Sequence, residues 1–200
     1  MSWSAGFVNF MLLSEMPSYL TSQLGFDIVT SGALCVVPYA SLFCTTLGFG
    51  KLFDYLQHHK GWQVRTVRQV AQFIAVGGSA IVLLICGFVP DKFVYVCYGC
   101  MVVSQALIGV SQSGLGCAYL DLAPRFSSVM CSVGNTIGAL AGIAGPIVVS
   151  EFTERYPGSL GWRLVFITTF IMCCFSLIFW RLFQTSDIHP ALNTPLPRKK

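Results

Sequence analysis

The sequence predicts an all-α, polytopic membrane protein with six transmembrane helices. Charged residues are only 10% of the 200 residues, whereas a soluble domain carries about 25%. So few charges cannot clothe a water-soluble globule. Hydrophobic residues make up 54%, and the mean hydropathy is +0.70. Charge-free stretches run over 28–50, 69–90, 93–120, 126–150 and 164–180. A helix needs about 20 mostly apolar residues to cross a bilayer, and these stretches approach or exceed that length.

The first helix is expected over 3–24. It has no basic n-region and no small-residue cleavage site, so it reads as a span and not as a signal peptide. It carries Asn9, Glu15 and Pro17. Glu15 lies twelve residues before Asp27, about 18 Å along a helix. A carboxylate at that depth is costly and should face a cavity or a partner. Glu15 reads either as a proton carrier or as a neutral, hydrogen-bonded group that supports packing. Pro17 removes a backbone donor and should loosen this helix.

The second helix, 29–56, ends on "GFGKLFDYL", which contains Asp54. The third is expected over 67–89 and the fourth over 92–119. The fourth holds Gln105, Gln112 and Ser113, and begins near the CxxC pair Cys97 and Cys100. The nine cysteines fall almost entirely inside the spans and read as small apolar packers.

The fifth helix, 125–151, follows the elbow "DLAPR". Pro124 fits the first turn of a new helix, and an aspartate beside such an N-terminus gains from its dipole. Asp54 or Asp121 is therefore a candidate latch on this helix start, with Arg125 nearby. The alternative is that both aspartates are simple interfacial caps. Gly134, Gly138 and Gly142 repeat every fourth residue along one face, which lets another helix approach closely. The sixth helix is expected over 160–183. The spans together form one domain over 1–184, and 185–200, with three prolines, is expected to be a disordered cytosolic tail.

Asn9, Gln105, Gln112, Ser113 and Asn135 are polar residues inside the expected spans. Taken singly, each reads as a hydrogen-bonding link between helices. Taken together with Glu15, they are candidates for a substrate or proton pathway.

With both termini on one side, that side holds nine cations: Lys51, Lys60, Arg65, Arg68, Arg125, Arg181, Arg198, Lys199 and Lys200. The other holds three: Lys92, Arg155 and Arg163. The excess places both termini in the cytosol. The net charge of +4 is thus a topology signal, and no nucleic-acid partner is expected. The three histidines, His58, His59 and His189, all lie in loops. No span offers a haem or zinc ligand, and no GxxxxGK[ST] is present. Neither enzyme activity, metal nor cofactor is expected.

Four blocks in order carry a resemblance. "GFGKLFDYL" resembles the G-x-L-A-D cytosolic loop motif of the major facilitator superfamily, with Phe53 in place of the small residue. "FVNFMLLSEMPSYLTSQLGFDIVTSG" resembles the seventh helix and following outer loop of one branch. "YLDLAPRFSSVMCSVGNT" resembles that branch's turn between helices 10 and 11, and "GWRLVFI" the start of helix 12. The branch is the anion:cation symporters: sodium/phosphate cotransporters, vesicular glutamate transporters, sialin and plant anion transporters. The resemblance covers the C-terminal six-helix half. Where the glutamate-carrying members have an arginine early in helix 7, this chain reads Ser4-Ala5-Gly6, and Phe10 replaces a tyrosine.

The resemblance implies secondary transport of an organic or inorganic anion, coupled to H⁺ or Na⁺ by alternating access. The chain would be a truncated or half transporter in a lipid membrane, partnered by a missing N-terminal half or another chain. The competing expectation is a non-transporting membrane scaffold that pairs through its glycine faces.

Overall fold

The computed structural model describes residues 1–90 and 92–184, and the expected tail over 185–200 lies outside them. Every regular element among the described residues is helical. The helices run as six rods. The first, α1, is Ser2–Ser22. The others are α2 (Ile28–His59), α3 (Val64–Phe88), α4 (Val94–Leu122), α5 (Ser127–Arg155) and α6 (Ser159–Phe183). Those five are long and apolar enough to cross a membrane. In α1, of 21 residues, Asn9, Ser14, Glu15 and Pro17 interrupt the apolar run.

Local chemistry sets the ends and the irregularities. Asp27 caps α2, its Oδ2 accepting from the N–H groups of Val29 and Thr30 at 3.2 Å each. Bonding to Thr30, then to Val29, holds this exposed carboxyl below its ordinary range. Inside α2, Pro38 has no N–H to give the carbonyl of Leu34. Tyr98 of α4 fills that vacancy, its hydroxyl donating to Leu34 O at 2.9 Å. The C-terminus of α2 closes on Gly61, whose φ of 66° suits glycine. The N–H groups of Lys60 and Trp62 both return to Leu56 O at 3.2 Å.

Pro124 does not sit in the first turn of α5, as the sequence suggested. A proline pushes the residue before it out of the helical region. Ala123 accordingly takes φ −146° and ψ 77° and ends α4. A turn over 123–126 follows, and α5 starts only at Ser127, whose hydroxyl donates to Pro124 O at 3.2 Å.

Two π-helical turns interrupt the longer rods, at Phe73–Gly78 in α3 and Gln112–Gly116 in α4. An extra residue per turn frees carbonyls that a neighbour must satisfy inside a membrane.

One close crossing is between α1 and α5. A Cβ placed on Gly6 would lie 2.6 Å from both Cα and O of Gly138, so two backbones meet with nothing between them. Gly145 packs less tightly on Met11, a Cβ there standing 3.4 Å from that of Met11, an ordinary van der Waals contact. The other glycines of the ladder have different neighbours. Gly134 makes room for the Tyr119 hydroxyl of α4, and Gly142 for the Phe10 ring. Outward, α5 exposes Ser132 and Thr136, whose hydroxyls donate to their own helix, to Ser128 O and Ser132 O at 2.9 Å each.

The remaining rods are held by core packing and by short polar links. Phe166, Met11, Leu20, Leu83 and Met101 are fully buried. Tyr19 meets Trp162 edge to face at 4.8 Å. Thr45 and Thr46 of α2 donate to Ala106 O and Gly109 O of α4 at 2.6 and 3.0 Å.

Gly6→Ala should therefore destabilise by about 1–3 kcal/mol, the usual cost of overpacking. Gly48→Ala, in open space within α2, should be neutral or stabilising by up to about 1 kcal/mol. Equilibrium unfolding in mixed micelles separates the two; equal effects would refute the backbone contact. Asp27→Ala should lower the unfolding midpoint above about pH 5. Because folding depresses this pKa, the difference should vanish as pH falls through it.

Candidate functional site

A cavity of about 300 Å³ opens where α1, α4 and α5 converge, with Leu42 of α2 at its edge. Its polar lining comes from Asn9, Gln112, Asn135, Ser111 and the bonded pair Ser2 and Tyr119, whose hydroxyls stand 2.7 Å apart. None of the described residues that line it is charged. The glycines Gly6, Gly134 and Gly138 form part of its wall.

Three of the expected polar residues, Asn9, Gln112 and Asn135, thus come together. Gln105 stands behind Asn9, fully buried, and its Nε2 donates to Asn9 Oδ1 at 2.7 Å. Ser113 does not line this cavity, and its carbonyl is bound by Arg68. Glu15 is not brought to the cavity either. It lies six residues beyond Asn9, about 9 Å farther along α1. There it borders a second, more open cavity of about 630 Å³ with Ser18, Thr21, Ser150, Thr153 and Trp162. Residues expected to form one pathway therefore occupy two compartments.

At the elbow end, the cation on Asp121 is Arg68. Its Nε lies 2.8 Å from Oδ2, its Nη2 donates to Oδ1 at 3.5 Å, and its Nη1 donates to Ser113 O at 2.9 Å. Asp121 occupies the last turn of α4, not the start of α5. A carboxylate is disfavoured at a helix C-terminus, so the Arg68 guanidinium offsets an otherwise poor placement. Asp54 is exposed on α2 and makes no ion pair among the described residues. Arg125 stands exposed in the turn before α5. Asp121 thus joins a clasp between α3 and α4.

Gln72 extends this clasp. Its Nε2 donates to the carbonyl and hydroxyl oxygens of Ser111 at 3.1 and 3.0 Å. Arg68 and Gln72, both buried, therefore satisfy Ser113 O and Ser111 O in and beside the π-turn of α4. Neither was singled out from sequence, because Arg68 reads as a boundary cation and Gln72 lies inside an uncharged run. Their spacing of four places both on one helix face, which is the signal that could have paired them.

Arg68→Met should cost about 2 kcal/mol, below the range for a fully buried pair because Asp121 is partly exposed. The double variant Arg68→Met/Asp121→Leu should cost less than the single. Unfolding in mixed micelles checks this, and a double variant that costs the sum of the singles or more would remove the pairing argument.

No family model matches the chain. It is 30% identical over 186 residues to "Potential vesicular glutamate transporter vglu-3" of Caenorhabditis elegans, covering 93% of this chain and 33% of that protein. It is 32% identical over 179 residues to "Probable anion transporter 1, chloroplastic" of Oryza sativa subsp. japonica, covering 90% of this chain and 32% of that protein. Against human "Vesicular glutamate transporter 2" the identity is 26% over 181 residues, 90% of this chain and 31% of that protein. The chain thus spans about a third of the length of the curated relatives it matches. It is an integral, multi-pass membrane protein, and its curated relatives are vesicular glutamate and plant anion transporters, the anion:cation symporter branch of the major facilitator superfamily.

Proposed function

We propose that this chain is the C-terminal six-helix bundle of a secondary transporter that moves an organic or inorganic anion by alternating access. In this reading α1 is the sixth span, 1–184 is the membrane domain, and both termini face the cytosol. The bundle works against a second six-helix half, on the same chain or another. The observation that carries the reading is the uncharged polar cavity between α1, α4 and α5, in a relative of anion transporters. Ligand sites in such proteins lie near the midplane, between two bundles that rock.

In this mechanism Asn9, Gln112 and Asn135 offer amide groups to the substrate. An amide donor binds an anionic oxygen without requiring a buried cation. The charge of the substrate is balanced by a cation from the other half or by the coupling ion. Glu15, in its separate compartment at the Asp27 end, carries the coupling proton. It alternates between water in the outer cavity and a hydrogen-bonded state inside. The Arg68–Asp121 clasp keeps the elbow end of α3 and α4 moving as one body, while Asp54 and Arg125 remain candidates for contacts with the second half. The glycine faces argue against the scaffold alternative, because Gly134, Gly138 and Gly145 are buried within this chain.

Uptake of labelled organic anions into proteoliposomes tests the reading, with the chain alone and with an upstream six-helix half restored. Asn135→Leu and Asn9→Leu should each lower uptake about tenfold, as for losing one hydrogen bond to a charged group. Glu15→Gln should abolish proton-driven accumulation and spare counterflow exchange. Accumulation untouched by Glu15→Gln would take Glu15 out of the mechanism. Absence of uptake in both preparations would favour the scaffold.

A further inference from the structure

We infer that Gln105 is a positioning residue that fixes the amide of Asn9 with its N–H donors toward the cavity, so that this site selects a ligand by its hydrogen-bond acceptors. The inference rests on the reading of that cavity as the substrate site. Three observations support it. Asn9 lines the cavity and Gln105 does not. Gln105 is 1% exposed, so water does not compete for its amide. Its Nε2 donates to Asn9 Oδ1 at 2.7 Å.

An amide has one acceptor oxygen and one donor nitrogen. With Oδ1 turned to Gln105, the group of Asn9 left wholly free for a ligand is its NH₂. Its Nδ2 has no hydrogen-bond partner among the described residues. The orientation has an internal reason. Gln105 Oε1 is buried with no partner among the described residues. A lone buried acceptor is tolerated more readily than an orphaned N–H, which favours the observed orientation over the reversed one. In the reversed arrangement Asn9 would face the cavity with its oxygen and would read donors.

The ligand class that follows is one whose cavity-facing end is acceptor-only, a carboxylate above all. No cation among the described lining residues attracts it, so discrimination at this position comes from hydrogen-bond polarity. A ligand of the same shape that presents N–H groups meets the NH₂ of Asn9 donor against donor, and is rejected because both are left unpaired.

Benzoate and benzamidinium, of matched shape, are the probes. The readout is the rate at which N-ethylmaleimide labels Cys131, which lines the same cavity. It is followed by peptide mass spectrometry on the full chain in lipid nanodiscs. Benzoate should slow labelling and benzamidinium should not. Gln105→Met should raise the half-protecting benzoate concentration about tenfold, because the Asn9 amide is then free to turn. In an Asn9→Leu background the same substitution should have no further effect, which a merely structural role for Gln105 would not produce. Asn9→Asp keeps an acceptor for Gln105 but loses both donors, and should reverse the preference toward benzamidinium.

Because it removes an unpaired buried oxygen, Gln105→Met should not lower the unfolding midpoint. Benzoate protection that survives Gln105→Met, or an additive effect in the Asn9→Leu background, overturns the inference and leaves the cavity reading standing. Protection by benzamidinium in the unmodified chain overturns the assigned polarity. Protection by neither probe removes the cavity reading and this inference with it.

Discussion

The approach of Gly6 to Gly138 is the constraint on which the rest of the bundle depends. Between membrane helices there is no hydrophobic drive, because lipid is as apolar as leucine, so association relies on close packing and hydrogen bonds. A contact of backbone on backbone brings α1 against α5 at one level. From that fulcrum the two helices carry Asn9 and Asn135 to the cavity, where Gln112 of α4 meets them. Gly134 and Gly142 hold no helix axis close. They accept the Tyr119 hydroxyl and the Phe10 ring. The ladder therefore positions α1 and hollows out space for one side chain of α1 and one of α4.

A second constraint is that no backbone polar group can be left to water that is absent. Two irregularities in the rods have neighbours that answer them. Pro38 releases the carbonyl of Leu34, and Tyr98 donates to it. In and beside the α4 π-turn, Ser111 and Ser113 offer their carbonyls, and Gln72 and Arg68 occupy them. These links join α2 to α4 and α3 to α4. They let α4 bend away from ideal geometry without exposing a donor or acceptor to lipid.

Much of the class was legible in composition, because few charges and long apolar runs leave only a membrane helix as a stable solution. The amides of Asn9, Gln112 and Asn135 could be named from sequence, since polar groups in such runs are conspicuous. Their grouping could not, because it depends on how α1, α4 and α5 cross. Glu15 shows the limit: its depth along α1 was readable, but not that it turns to a different compartment from Asn9. Arg68 was hidden for the opposite reason. A cation at the edge of an apolar run looks like a boundary marker, and its bond to Asp121 spans 53 residues of chain. Pro124 misled because the same residue that favours a helix start also ends the preceding helix, and here the second effect placed the start of α5 at Ser127, two residues later than expected.

The outward face of α5 carries a consequence of a different kind. Ser132 and Thr136 spend their hydroxyl protons on their own helix, so what they show the surroundings is largely carbon, with oxygen lone pairs beside it. Such a surface is nearly indifferent to its solvent. Hydrocarbon meets no unspent donor on it, and water still finds acceptors. A wall of this kind can be wetted and dried repeatedly without either state becoming a thermodynamic trap.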